Sequence, residues 1–106
     1  MQATFIHDGK SIDYTPEMDI SAGSVIVQNN LIGITKLEIK AGRLGALAVV
    51  GVFDVVKGNT AIPIGSKVYW DNTAKQVTLT ATNNALLGIT VQESTAEDTV
   101  VRVRLG

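Results

Sequence analysis

The stretch from Gly42 to Gly58 most constrains what this chain can fold into. It reads Gly-Arg-Leu-Gly-Ala-Leu-Ala-Val-Val-Gly-Val-Phe-Asp-Val-Val-Lys-Gly. From Leu44 to Val56 only Gly45, Gly51 and Asp54 interrupt the apolar run. A strand with one wet face alternates apolar and polar residues, whereas a strand covered on both faces need not. The run therefore predicts a central, most buried strand, with Gly51 marking a bulge or bend. A buried helix has similar hydropathy, but five Val, one Phe and two interior Gly oppose it.

The rest of the composition agrees. Thirteen Val, ten Ile and eleven Thr are the β-branched residues that pleated sheets favour. The 106 residues suit one domain, and ten Gly against two Pro suit many tight turns. The predicted fold class is all-β: a small single-domain β-barrel or β-sandwich of short antiparallel strands with an extended N-terminal arm. The arm and an edge strand span residues 1–19, and the barrel or sandwich spans 20–106.

Nine basic and ten acidic residues give a net charge of −1, with no basic stripe to track a phosphate backbone, so no nucleic-acid partner is expected. No apolar run reaches the length of a bilayer span, and no membrane association is expected. The start, Met-Gln-Ala-Thr-Phe-Ile-His-Asp, has neither the basic opening nor the apolar core of a signal peptide. Without Cys there is no disulfide framework, thiol nucleophile or thiolate metal site, as in a protein folded in a cytoplasm.

Turn signals divide the chain. Asp8-Gly9-Lys10 precedes a weakly alternating Ser11–Thr15. Asn29-Asn30 separates Val25–Gln28 from Leu31–Lys40 as a two-residue hairpin loop, because Asn tolerates positive φ. The phase slips between Ile32/Ile34 and Leu37/Ile39, predicting a bulge near Thr35-Lys36. Asn72–Lys75 links Lys67–Asp71 to Gln76–Thr80, and Asn83-Asn84 leads into Leu86–Val91. In Thr99–Leu105, Val101, Val103 and Leu105 share one face and Arg102 and Arg104 the other. There is also an internal echo. Ile20-Ser-Ala-Gly-Ser24 matches Ile62-Pro-Ile-Gly-Ser66, and Leu31-Ile-Gly-Ile-Thr35 matches Leu86-Leu-Gly-Ile-Thr90. It suggests two related β-units.

Catalytic signals are thin. His7 is the only His and lies in the arm, away from any nucleophile and orienting acid. Asp8, Asp13, Glu17 and Asp19 fit no calcium-loop spacing, so no metal site is predicted. Gly9-Lys10-Ser11 resembles the end of a phosphate-binding loop, but Thr4 stands where that loop needs Gly. Trp70 reads as a core or subunit-contact residue, with nothing in sequence pairing it with a sugar- or base-stacking platform. Arg102 and Arg104 read as a solvated strand face, or as partners in an inter-subunit salt bridge. The chain reads as a non-enzyme without a cofactor.

Four segments, in order and over essentially the whole chain, resemble tailed-phage capsid cement or head decoration proteins. They are Phe5-Ile-His-Asp-Gly-Lys-Ser-Ile-Asp-Tyr-Thr-Pro16, Ile39-Lys-Ala-Gly-Arg-Leu-Gly-Ala46, Gly51-Val-Phe-Asp-Val-Val-Lys57 and Lys67-Val-Tyr-Trp-Asp71. Some relatives carry a recombinase label, which the missing phosphate loop and basic patch oppose. The resemblance implies a structural virion protein, made in the bacterial cytoplasm, that binds the major capsid protein on the outer surface of a phage head. It also implies a homo-oligomer, with a trimer favoured. Phe5, Ile6, Ile12 and Tyr14, the apolar residues of the arm, are the expected capsid contacts. Two other readings are a β-clip-like small-molecule-binding module, which needs a pocket with convergent polar groups, and a head–tail joining or fibre-base protein.

Overall fold

The computed structural model describes residues 2–106, which form nine strands and, among the described residues, no helix. The strands are β1 (Ser11–Tyr14), β2 (Val25–Gln28), β3 (Leu31–Thr35), β4 (Gly45–Ala48), β5 (Gly51–Val56), β6 (Lys67–Asp71), β7 (Gln76–Thr78), β8 (Ala85–Thr90) and β9 (Val100–Leu105). They make two antiparallel sheets, ordered β1-β4-β3-β2 and β5-β9-β8-β6-β7. Neither sheet closes into a barrel. A single parallel bridge, Lys57 to Val77, joins the β5 and β7 sides of the larger sheet.

The apolar stretch is not one strand. It breaks at Val49-Val50 and supplies β4 to the first sheet and β5 to the second. Gly51 makes the change of direction with φ at +130°, a conformation that β-carbons disfavour. Nor is β5 central. It is an edge strand, and Val52 and Val56 stand 56% and 54% exposed, while Val55 faces the core. Consecutive apolar residues here signal one core face and one exposed apolar face.

The internal echo is a structural duplication. The first sheet and the first four strands of the second share one connectivity, with β1, β2, β3 and β4 matching β5, β6, β8 and β9. The register matches too: Thr35 lies opposite Leu47 and Ile12 opposite Leu47, as Thr90 lies opposite Val103 and Phe53 opposite Val103. In each unit one buried threonine locks a glycine-serine turn. Thr35 Oγ1 accepts from Ser24 N at 2.8 Å and donates to the Ser21 carbonyl at 2.8 Å. Thr90 Oγ1 accepts from Ser66 N at 2.9 Å and donates to the Pro63 carbonyl at 2.8 Å. Gly23 and Gly65, at φ +80° and +81°, donate to the carbonyls of Thr35 and Thr90. Farther along, the Ile20–Ile39 bridge is repeated as Ile62–Ser94.

A second pair of glycines obeys the same rule. A β-carbon on Gly33 would lie 2.6 Å from that of Leu47, and one on Gly88 would strike the Arg104 carbonyl and crowd Val103. Both positions let the neighbouring strand cross closely. The second unit adds β7, and with it Val77 to the core. That core also holds Ile32 and Ile34 of β3, Val55, Val68, Trp70, Leu87, Val101, Val103 and Leu105. The alternation predicted for β9 is thus realised, with Val101, Val103 and Leu105 inward.

The phase slip near Thr35-Lys36 is the end of a strand rather than a bulge within one. β3 stops at Thr35; Leu37 turns outward, and Ile39 packs over Gly45 and bridges to Ile20. The N-terminal segment is integrated from Lys10, whose carbonyl accepts from Val49 N, through Pro16, which is buried and accepts from Gly42 N. Residues 2–8 are exposed and carry no regular structure.

Candidate docking surface

Among the described residues no group of three His, Asp or Glu side chains comes together as a metal site. His7, exposed, accepts a hydrogen bond from Gly9 N at 2.9 Å.

The four N-terminal residues expected as contacts fall into two groups. Phe5 and Ile6 are 79% and 77% exposed and precede any strand. Ile12 and Tyr14 are half-buried on one face of β1, with Ser11 and Asp13 on the other. β1 is an edge strand: it pairs with β4 through Ser11–Ala48 to Tyr14–Gly45, and its opposite edge carries no strand. Such an edge presents unpaired N–H and C=O groups to any extended segment.

A groove of about 590 Å³ opens beside β1, reaching Ser11, Ala46 and Ala48 on the sheet and the loop of residues 36–44. Leu37 and Leu44 on that loop are 77% and 70% exposed. Lys36, Lys40 and Arg43 give the rim a positive excess over Glu38. Lys40 is occupied, 3.4 Å from Glu38 and 3.7 Å from Asp19, and Glu38 foremost raises its pKa above the usual 10.5. Lys36 and Arg43 make no ion pair among the described residues. Sequence reasoning missed Leu37 and Leu44, because a run continued past Thr35 as a strand gives Leu37 a place in the sheet.

The three residues read as subunit contacts sit differently. Trp70 is only 6% exposed, packed in its own core, with Nε1 donating to Asn72 Oδ1 at 3.2 Å. Within the chain it is a core residue, as the first of its two readings has it. Arg102 spends its guanidinium within the chain, Nε and Nη2 donating to Asp54 Oδ1 and Oδ2 at 2.9 and 3.2 Å across the β5–β9 pair. That fork holds the Asp54 carboxyl below its usual 3.8 and raises Arg102, mainly through the hydrogen bonds themselves. Arg104 shares the outer face with Arg102 and makes no ion pair among the described residues. Beside them Val52, Val56 and Val100 are exposed on the same face.

No curated protein and no solved structure matches the chain. A family model does: the one described as phage cement protein, a structural, capsid-associated kind, matches residues 6–105, nearly the whole described chain. The chain belongs to the phage cement protein family.

Proposed function

We propose that this protein binds the outer surface of a phage head and strengthens its lattice. The observation that carries this reading is the family match over residues 6–105. A shell under internal pressure fails where neighbouring capsomers part. A protein that bridges several capsid subunits binds the assembled lattice and not the separated subunits, so it stabilises the lattice by mass action. Many symmetric copies, each with a modest interface, add by multivalency.

The contact with the major capsid protein is assigned to the free edge of β1 and the segment before it. An extended capsid segment adding to β1 gains main-chain hydrogen bonds, while Phe5, Ile6, Ile12 and Tyr14 supply side-chain anchorage. Leu37 and Leu44 offer a second apolar surface at the groove, which reaches β1 through Ser11. The homo-oligomer, a trimer by family resemblance, is assigned to the outer face of β5 and β9. There Val52, Val56 and Val100 offer apolar area around Arg102 and Arg104.

Co-sedimentation of the purified protein with expanded, undecorated heads of the parent phage tests the reading. Saturation at hundreds of copies per head, lost when residues 1–10 are deleted, is the expected result. Binding that stops at about a dozen copies would indicate a ring-shaped joint instead. Binding that survives the deletion would remove the N-terminal segment from the interface.

A further inference from the structure

The chain has six asparagines, and five of them line one cavity. Asn29 and Asn30 come from the β2–β3 turn, Asn72 from the β6–β7 loop, and Asn83 and Asn84 from the turn before β8. These turns come from both sheets and gather around the edge of Trp70. The cavity measures about 400 Å³, and Val27 and Ala85 complete an apolar floor beside the indole. No charged side chain lines it.

Backbone geometry explains only part of this cluster. Asn29 and Asn83 adopt φ of +57° and +62°, where Asn is the ordinary choice after Gly. Asn30, Asn72 and Asn84 have no such requirement. Internal hydrogen bonding does not absorb the cluster either. Asn72 Oδ1 is saturated by Trp70 Nε1 and Lys75 Nζ, which leaves its Nδ2 free. Asn84 Nδ2 donates to the Thr80 carbonyl, which leaves its Oδ1 free. Among the described residues the side-chain amides of Asn29, Asn30 and Asn83 make no hydrogen bond at all.

We infer that this asparagine-lined cavity is a binding site for a neutral saccharide. Each free amide offers both a carbonyl acceptor and an NH2 donor, and each sugar hydroxyl both donates and accepts. Several amides around a small apolar floor therefore offer donors and acceptors to the hydroxyls of a hexose ring and an apolar surface to its C–H groups. The volume lies within the roughly 300–1,000 Å³ of small-ligand sites and suits a mono- or disaccharide. No charged side chain is in the lining, and Lys75, whose Nζ donates to Asn72 Oδ1 at 2.9 Å, is a cation already bonded to it. The site is independent of the capsid-facing assignment, since none of its residues belongs to β1 or the 36–44 loop.

Trp70 is the only tryptophan, so intrinsic fluorescence reports from the cavity without a label. The test is titration of the full chain with glucose, galactose, mannose, N-acetylglucosamine and their β-linked disaccharides. Fluorescence and the asparagine side-chain NH2 signals in a 15N spectrum are followed together. The expected result is saturable binding to at least one of these sugars. Affinity should fall about 5–10-fold in Asn30→Ala and in Asn83→Gly, which keeps the left-handed backbone. Asn59→Ala, at the one asparagine outside the cavity, should bind as the wild type does. Thermal melts of each variant separate lost binding from lost folding. The inference is overturned if no sugar in the panel shifts either signal at tens of millimolar. It is equally overturned if Asn30→Ala and Asn83→Gly, both folded, bind like wild type, or if adenosine binds the cavity and the sugars do not.

Discussion

The duplicated threonine lock gives a sharp prediction, because the chain carries the experiment twice. Replacing Thr35 or Thr90 by Val keeps the side-chain volume and exchanges one hydroxyl for a methyl. Both residues are 1% exposed, so the methyl that replaces each hydroxyl faces protein rather than water. The carbonyl side of each lock survives. Ser24 Oγ still donates to Ser21 O, and Ser66 Oγ to Pro63 O, both at 2.8 Å. The amide side does not, since Ser24 N and Ser66 N have the threonine hydroxyl as acceptor, at 2.8 and 2.9 Å. Each substitution thus orphans one part-buried N–H, at a cost of about 1–2 kcal/mol. For a domain of this size that lowers Tm by about 4–8 °C. The locks lie in different sheets, so the double variant should lose the sum. Urea unfolding at constant m measures the losses, and hydrogen exchange at Ser24 and Ser66 localises them. Thr→Ser at either position keeps amide protection while losing the methyl. If both Val variants stay within about 0.5 kcal/mol of wild type, or if only one site responds, the two turns are not equivalent locks and the reasoning fails.

Two further outcomes follow from single contacts. Lys57 is 6% exposed, and its Nζ donates to the carbonyls of Gly58, Thr95 and Asp98 at 3.0, 2.8 and 3.1 Å. Lys57→Met strands those carbonyls, so it should cost about 2–4 kcal/mol and release amide protection across residues 95–99 before the sheets open. Unchanged exchange there would show that other contacts hold the loop. For the Asp54–Arg102 pair, the Asp54 pKa is lower in the folded chain than in the unfolded one. Its contribution is therefore present above about pH 3.8 and is lost as pH falls through the folded value. The stability difference between wild type and Arg102→Gln should shrink over that acid range, and an NMR titration should place Asp54 higher in the variant. A pH-independent difference would assign the effect to packing of the Arg102 stem.

What was legible in the sequence, and what was not, follows from how much each residue type is obliged to do. Gly23 and Gly65 must take positive φ, Thr35 and Thr90 must supply a hydroxyl to a buried turn, and Gly33 and Gly88 must admit a neighbouring strand. Those obligations fix residue identity, so the echo survives in both halves. The matching of β1 with β5 and of β4 with β9 left no such trace, because an edge strand or its neighbour asks only for alternation. The all-β class and the β9 alternation were readable for the same reason. The break at Val49-Val50 was not, since hydropathy cannot distinguish a strand buried on both faces from two strands that change sheets. The asparagine cavity was also hidden. Its residues lie in three separate turns, and only the stacking of the two units brings them together.

The two units differ in how their sheets are edged. The second unit carries β7 on the outer edge of β6 and brings Trp70 and Val77 into the shared core. The equivalent of β6 in the first unit, β2, has no such strand among the described residues, whereas β1 and its equivalent β5 are both edge strands. Exposed edges are costly to keep, because they invite unwanted pairing. In a chain that carries β7 on the matching edge of its second sheet, the uncovered β2 edge is where the first unit is the less complete of the two.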